Sequence, residues 1–358
     1  MVEKVCFSII LCLSACLTTI LFPEVVYAAR RCPHDKLVLN DPEKLFVFGD
    51  SYADTGNWPP TNASGSWREP FGMTFPGKPS GRWSDGRVLT DYIAEYLGLG
   101  SPQPYNLWKG DGEEKQYGMN FAYGGTGVFD YTNVDGPNMT TQINHLQQLL
   151  QQNAYAKHDL TSSVALVTSV GNDYRNYHGD ILEFVESVTK QLSMNLKRIH
   201  EMGIPKVAIT AMQPLGCLPF IAFATGSYPN CYEKTNDFTR LHNQMLKQRV
   251  DKLNEETDGS PFGIVDLYAA FTTALNIQND QQPGKSSFPR RLKPCCYGKC
   301  GEVDDESGKK EYELCDDPKK AFFWDMAHPS QQGWFAVYSA LKPSLPHLFH
   351  CEQATPIV

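Results

Sequence analysis

The chain has 358 residues, 41% of them hydrophobic and 20% charged, the composition of a globular protein with room for one large domain or two small ones. With 28 glycines and 24 prolines it fits a loop-rich α/β or β protein better than a helix bundle. A net charge of −8 excludes the basic excess expected of a nucleic-acid binder, and the short cluster Arg290, Arg291 and Lys293 reads as a solvated loop.

Lys4 precedes a charge-free apolar stretch from Val5 to Leu21, then Pro23, Glu24 and the small-residue end of Val26-Tyr27-Ala28. That is the layout of a signal peptide over residues 1–28, cut before Ala29, with a retained signal anchor as the alternative. No later segment reaches the roughly 18 apolar residues of a membrane span, so the expectation is a secreted chain without a transmembrane segment. Cys6, Cys12 and Cys16 leave with the leader. Cys32, Cys217, Cys231, Cys295, Cys296, Cys300, Cys315 and Cys351 remain, an even set that favours disulfides in an exported chain without fixing their pairing. The sequons Asn62-Ala63-Ser64 and Asn138-Met139-Thr140 mark Asn62 and Asn138 as glycosylation sites.

Beyond the leader, short apolar runs alternate with helical stripes, and no internal repeat is visible. Leu45-Phe46-Val47-Phe48 predicts a buried strand ending in a sharp turn at Gly49-Asp50-Ser51. Tyr92–Leu97 predicts a helix, and Met119–Tyr123 a second strand ending at Gly124-Gly125. Ile143, Leu146, Leu149 and Leu150 recur at helical spacing. Val164–Val167 predicts a third strand, leading to Gly171-Asn172-Asp173. A long amphipathic helix follows, striped by Ile181, Leu182, Val185, Val188, Leu192, Leu196 and Ile199 and ended by Gly203, with Pro205 beyond. Strands at Val207–Thr210 and Ile264–Leu267 flank a helix around Thr239–Leu253. Residues 278–320 are polar, hold four cysteines and predict a stapled loop. Gln331–Leu341 predicts a last helix with Ser330 as its cap. Such alternation implies an α/β fold, a three-layer α/β/α sandwich around a central, mainly parallel sheet, with ligands bound at the carboxyl ends of the strands.

Three polar signatures, Gly-Asp-Ser at 49–51, Gly-Gly-Thr-Gly at 124–127 and Gly-Asn-Asp at 171–173, each follow a predicted strand and so gather at that edge. A serine hydroxyl becomes a nucleophile only beside a base. Ser51, in a strand–turn–helix setting, projects from the sheet, although the same tripeptide also describes a helix-capping serine. Of nine histidines, only His328 has an aspartate, Asp325, three residues before it. That carboxylate can fix one ring nitrogen as N–H while the other accepts the serine proton; the other reading is a surface histidine beside an acid. The oxyanion of an acyl-transfer intermediate needs hydrogen-bond donors. Candidates are the N–H groups of Ser51 and of Gly124 or Gly125, and the Asn172 amide.

Taken together, the blocks resemble a known family. Gly49-Asp50-Ser51-Tyr52-Ala53-Asp54-Thr55-Gly56-Asn57 resembles the first block of the GDSL esterases/lipases, in the SGNH hydrolase superfamily. Asn120–Gly127 resembles the second, Val170-Gly171-Asn172-Asp173 the third and Asp325–Pro329 the last, in order from about Lys44 to Leu341. Pro214–Pro219 and Cys295-Cys296 are similar to the plant branch. The resemblance implies a single flavodoxin-like hydrolase domain over residues 44–350, after an N-terminal segment 29–43. It implies Ser51 as nucleophile and oxyanion donor, Gly125 and Asn172 as further oxyanion donors, and Asp325 and His328 as the rest of the triad. Val170 departs from the glycine usual at the head of the third block; Gly171 is expected to absorb that turn, and Gly124 is the fallback for Gly125.

The activity so implied is hydrolysis of a small-molecule, lipid or glycan ester through an acyl-enzyme, with no cofactor and no metal. An acyltransferase passing the same acyl group to an alcohol is the alternative, and a non-catalytic binding protein on an inherited fold is a third reading. Zinc on the four loop cysteines, or a metal on Asp50, Asp54 and Asp173, are rival readings of those side chains. The aromatics between Trp58 and Asp85 either line a pocket or pack. Natural ester, acyl length and oligomeric state are not set by the sequence.

Overall fold

Alternation along the first strand divides the molecule into layers. In the computed structural model, β1 (Lys44–Phe48) turns Leu45 and Val47 into one apolar cluster and Phe46 and Phe48 into another, all four fully buried. The structure describes residues 42–349 except 61–64, 111–114, 131–133, 176, 227, 229, 277–287, 290 and 305. The expected leader, Asn62, Cys32 and Cys351 lie outside the described residues.

Five more strands join β1: β2 (Gln103–Pro104), β3 (Gly118–Asn120), β4 (Ser163–Val167), β5 (Lys206–Ala211) and β6 (Phe262–Asp266). They form one sheet in the order β2-β3-β1-β4-β5-β6, with every pairing parallel. Without the two-residue edge strand β2, this is the order of a flavodoxin-like doubly wound sheet. The chain leaves β1 with β3 on one side and β4 on the other, a switch point whose carboxyl edge opens a crevice.

Helices cover both faces. α1 (Leu89–Tyr96) lies on the Leu45/Val47 side, and α2 (Met139–Gln151) on the Phe46/Phe48 side with the short α3 (Lys157–Thr161) and the long α4 (Ile181–Glu201). α5 (Pro219–Ala224) returns to the first face, and α6 (Glu233–Glu256) packs on the second. α7 (Leu267–Ala274) then joins the first face. An antiparallel hairpin follows, β7 (Cys296–Val303) with β8 (Lys310–Leu314), before α8 (Gln331–Leu341) and α9 (Leu345–Phe349) complete the first face. The three-layer α/β/α arrangement expected from the sequence is therefore present.

Local differences have local causes. The polar stretch at 278–320 contains the β7–β8 hairpin rather than a loop throughout; its β7 strand buries only Cys296 and Gly301, so no apolar alternation advertises it. β6 stops at Asp266, whose carboxylate accepts the Ala269 N–H at 2.9 Å and turns the chain straight into α7. At the start of α4, Ile181 and Leu182 are exposed, and the buried stripe begins at Phe184. Gly203 does end that helix, at φ +114°. Ser330 does cap α8, accepting the Gly333 N–H at 3.0 Å. Disulfides join Cys217–Cys231, Cys295–Cys315 and Cys296–Cys300. Among the described residues, no helix is long and apolar enough to cross a membrane.

Candidate active site

At the end of β1 the chain passes against the end of β4 so tightly that only glycine fits. Gly49 has φ +126°, and a Cβ there would fall 2.2 Å from Thr168 Oγ1 and 2.4 Å from the Thr168 carbonyl oxygen. Gln142 of α2 clasps the same residue, accepting the Gly49 N–H at 2.7 Å and donating to the Gly49 carbonyl at 2.8 Å. Thr168 Oγ1 accepts the Asp50 N–H and donates to Asp50 Oδ1, both at 3.0 Å, while Asp50 Oδ2 accepts the Val170 N–H at 2.9 Å. Burial pushes the Asp50 carboxyl up to about 6, against the N–H groups of Val170 and Tyr52 and the Thr168 hydroxyl.

No helix follows Ser51, contrary to the strand–turn–helix expectation. One turn forms, with Ala53 and Asp54 N–H donating to the Asp50 carbonyl at 3.0 and 2.9 Å. The Asp54 carboxylate then captures the N–H groups of Gly56, Asn57 and Trp58, at 2.8, 2.6 and 3.2 Å, and offers the chain an alternative to helical pairing. Burial pushes this carboxyl too up to about 6 despite those donors. Asn120 at the end of β3 ties the turn down, donating to the Ala53 carbonyl at 2.7 Å and to Thr55 Oγ1 at 2.9 Å.

Ser51 sits at the head of this turn, 6% exposed. Its Oγ lies 2.8 Å from His328 Nε2. On the other side of the ring, His328 Nδ1 is 2.9 and 2.8 Å from the two oxygens of Asp325. Asp325 also accepts the N–H groups of Ala327 and His328, at 2.9 and 2.8 Å. Burial alone would raise the Asp325 carboxyl, but the imidazole and these N–H donors outweigh it, and the group is held below its ordinary value. The loop carrying both residues is pinned at its ends, Trp324 N–H to the His328 carbonyl at 2.7 Å and Cys296 N–H to the Trp324 carbonyl at 2.6 Å.

Gly125 and Asn172 follow the carboxyl ends of β3 and β4, the two neighbours of β1 in the sheet. Gly125 is left-handed at φ +79°, and its N–H and that of Ser51 have no acceptor among the described residues. Gly124 is not an equivalent: its N–H is held by Asp54 Oδ2 at 2.8 Å, which removes the fallback. Gly171 takes the left-handed conformation at φ +102° and so absorbs the turn that Val170 does not. Asn172 follows directly, and its amide donates one hydrogen to the Thr126 carbonyl at 2.9 Å, leaving the other unassigned. Asn138 caps α2, accepting from the Thr141 N–H at 2.9 Å and donating to Asp130 at 2.7 Å.

The rival metal readings meet positive evidence against them. All four loop cysteines are in disulfides. Asp50, Asp54 and Asp173 each accept backbone N–H groups, Asp173 from Val128 and Phe129 at 3.0 Å. Sequence reasoning missed Gln142 and Thr168. Neither stands in a recognisable block, and only the fold brings them to Gly49, across 93 residues in the case of Gln142.

A hydroxyl in contact with an imidazole, itself braced by a carboxylate, can lose its proton as it attacks an electrophilic carbon. The family model described as GDSL-like lipase/acylhydrolase matches residues 45–341. The chain belongs to that family. GDSL esterases/lipases hydrolyse carboxylic esters, and two from Arabidopsis thaliana illustrate the kinship. One is 48% identical over 354 residues, covering 95% of this chain and 96% of the relative; the other is 48% identical over 325 residues, covering 87% and 91%. A solved acetyl xylan esterase is matched at a TM-score of 0.38 and 13% identity, over 84% of this chain and 99% of that one.

Proposed function

We propose that this GDSL family member is an exported serine esterase in which Ser51, His328 and Asp325 form the catalytic triad. Ser51 Oγ attacks the ester carbonyl as His328 Nε2 takes its proton, and Asp325 holds the imidazolium by Nδ1. The N–H groups of Ser51 and Gly125 and the free hydrogen of the Asn172 amide stabilise the oxyanion. Collapse breaks the bond to the alcohol oxygen, which leaves with the proton from His328. Water, deprotonated by the same nitrogen, then releases the acid from the acyl-serine.

The observation that carries this reading is the 2.8 Å contact between Ser51 Oγ and His328 Nε2, with Asp325 on the far nitrogen. The apolar leader, the sequons and the three disulfides support export. Fluorophosphonate labelling and hydrolysis of a p-nitrophenyl ester test it, comparing the natural protein with Ser51→Ala. The variant should take no label and lose about 10⁴-fold or more in kcat. Equal labelling of the two proteins would remove Ser51 from the role.

A further inference from the structure

We infer that Trp83 is a positioning residue for the base: its indole face lies on the His328 imidazole and stabilises the imidazolium that forms when Ser51 gives up its proton. The inference rests on the triad proposed above. The two rings are 5.3 Å apart between centroids, with their planes inclined by 28°. That lies inside the range at which a cation is drawn to an aromatic face, and tryptophan has the most attractive face of the three aromatic side chains.

The indole is held in place from several directions. Trp58 meets it at 5.4 Å and 82°, and Phe71 at 6.0 Å and 79°, both edge to face. A Cβ on Gly124 would fall 2.3 Å from Trp83 Nε1, and one on Gly65 would fall 2.9 Å from Cη2. Glycine at both positions is what admits the ring. Trp83 Nε1 is buried without an acceptor among the described residues, an unfavourable state for a polar atom. Phenylalanine would fill much of this space with no orphaned N–H, so what tryptophan adds here is its larger, more negative face.

Other groups reach His328 from different directions. Asp325 and Ser51 bind in the plane of the ring, at Nδ1 and Nε2. Tyr52 approaches it at 6.0 Å and 64°, and the buried Asp50 carboxyl responds to its charge. A face-on attraction from Trp83 adds to these in-plane contacts instead of duplicating them. It also grows as the imidazole gains charge, so it favours the transition state over the resting enzyme.

The test compares Trp83→Leu and Trp83→Phe with the natural protein by thermal melting and full pH–rate profiles on a p-nitrophenyl ester. Folded Trp83→Leu should lose about three- to tenfold in kcat with KM little changed, and Trp83→Phe should fall between. The acid limb of the Trp83→Leu profile should move to lower pH by about half to one unit, because the charged ring has lost a stabilising neighbour. A second arm places a graded series of fluorinated tryptophans at position 83 alone, preserving shape while draining the face of negative charge. There kcat should fall stepwise with fluorine number, and this arm decides if Trp83→Leu does not fold. An unmoved acid limb and kcat in folded Trp83→Leu, or a flat fluorine series, would overturn the inference. Retained activity in Ser51→Ala would instead overturn the triad beneath it.

Discussion

The two adjacent glycines at 124 and 125 are there for different reasons, and the difference fixes what each neighbour contributes. Gly124 gives its N–H to Asp54 and its missing side chain to the Trp83 indole. Gly125, one residue on, is left-handed, and its N–H has no acceptor among the described residues. Asn172 is held by a bond from its amide to the carbonyl of Thr126. Its second amide hydrogen then has a fixed direction before substrate arrives, the condition under which a donor favours the transition state. Asn172→Ala should therefore lower kcat by about 100- to 1000-fold while KM changes little. Steady-state kinetics on a soluble ester decide it; a rise in KM at unchanged kcat would make Asn172 a ground-state binding residue instead. Ser51, Gly125, Asn172, Asp325 and His328, the residues of the proposed site, stand out in the sequence because the chemistry proposed for them dictates residue type and their blocks follow in order. Gln142, Thr168 and Trp83 do not, because their roles come from neighbours supplied by distant elements.

At the scale of elements, the proposed base depends on a hairpin that composition disguises. β7 and β8 are polar and largely exposed, yet they lie beside the segment leading into Asp325. Cys295 N–H donates to the Phe323 carbonyl at 3.0 Å and Cys296 N–H to that of Trp324 at 2.6 Å, while Cys315 N–H donates to the Cys295 carbonyl at 2.7 Å. The Cys295–Cys315 bridge thus closes the base of the hairpin at the point where its backbone is bonded to the segment that carries Asp325 and His328. Replacing both cysteines by serine should lower stability by about 2–4 kcal/mol in denaturant unfolding. It should also lower kcat well below the new melting point, as Asp325 and His328 lose their fixed register. Full kcat in the folded double variant would mean that the hairpin stabilises without positioning. The apolar runs of β1, β4 and β5 announced themselves because both faces of a parallel sheet are buried. The hairpin buries too little to leave such a trace, and β2, with two residues, is too short for any pattern.

Across the whole molecule, the buried titratable groups pull stability in opposite directions with pH. His242 on α6 is fully buried, its Nδ1 2.7 Å from the hydroxyl of Tyr174, in the turn that begins at Asn172, and its Nε2 has no partner among the described residues. Burial pushes this imidazole from 6.5 down to about 3. A depressed histidine contributes stability that is present above its unfolded value and lost as pH falls toward its folded one, here from about 6.5 to about 3. Asp50 and Asp54, raised to about 6, act the other way: their contribution is complete below 3.8 and is lost as pH rises through about 6. A melting curve of the natural protein alone would mix these effects. The difference between it and His242→Gln does not, because both proteins keep the two aspartates. At pH 7 the variant should melt lower, having lost a buried, hydrogen-bonded ring. Below pH 6.5 the natural protein alone carries the histidine penalty, worth about 1.4 kcal/mol per pH unit. The gap in Tm should then close by about 2 °C per unit for a chain of this size. Melting scans of both proteins from pH 7 to pH 4 measure that slope directly; curves that stay parallel would show that His242 takes up its proton without strain, and that the face beneath the third block is more open to water than its packing implies.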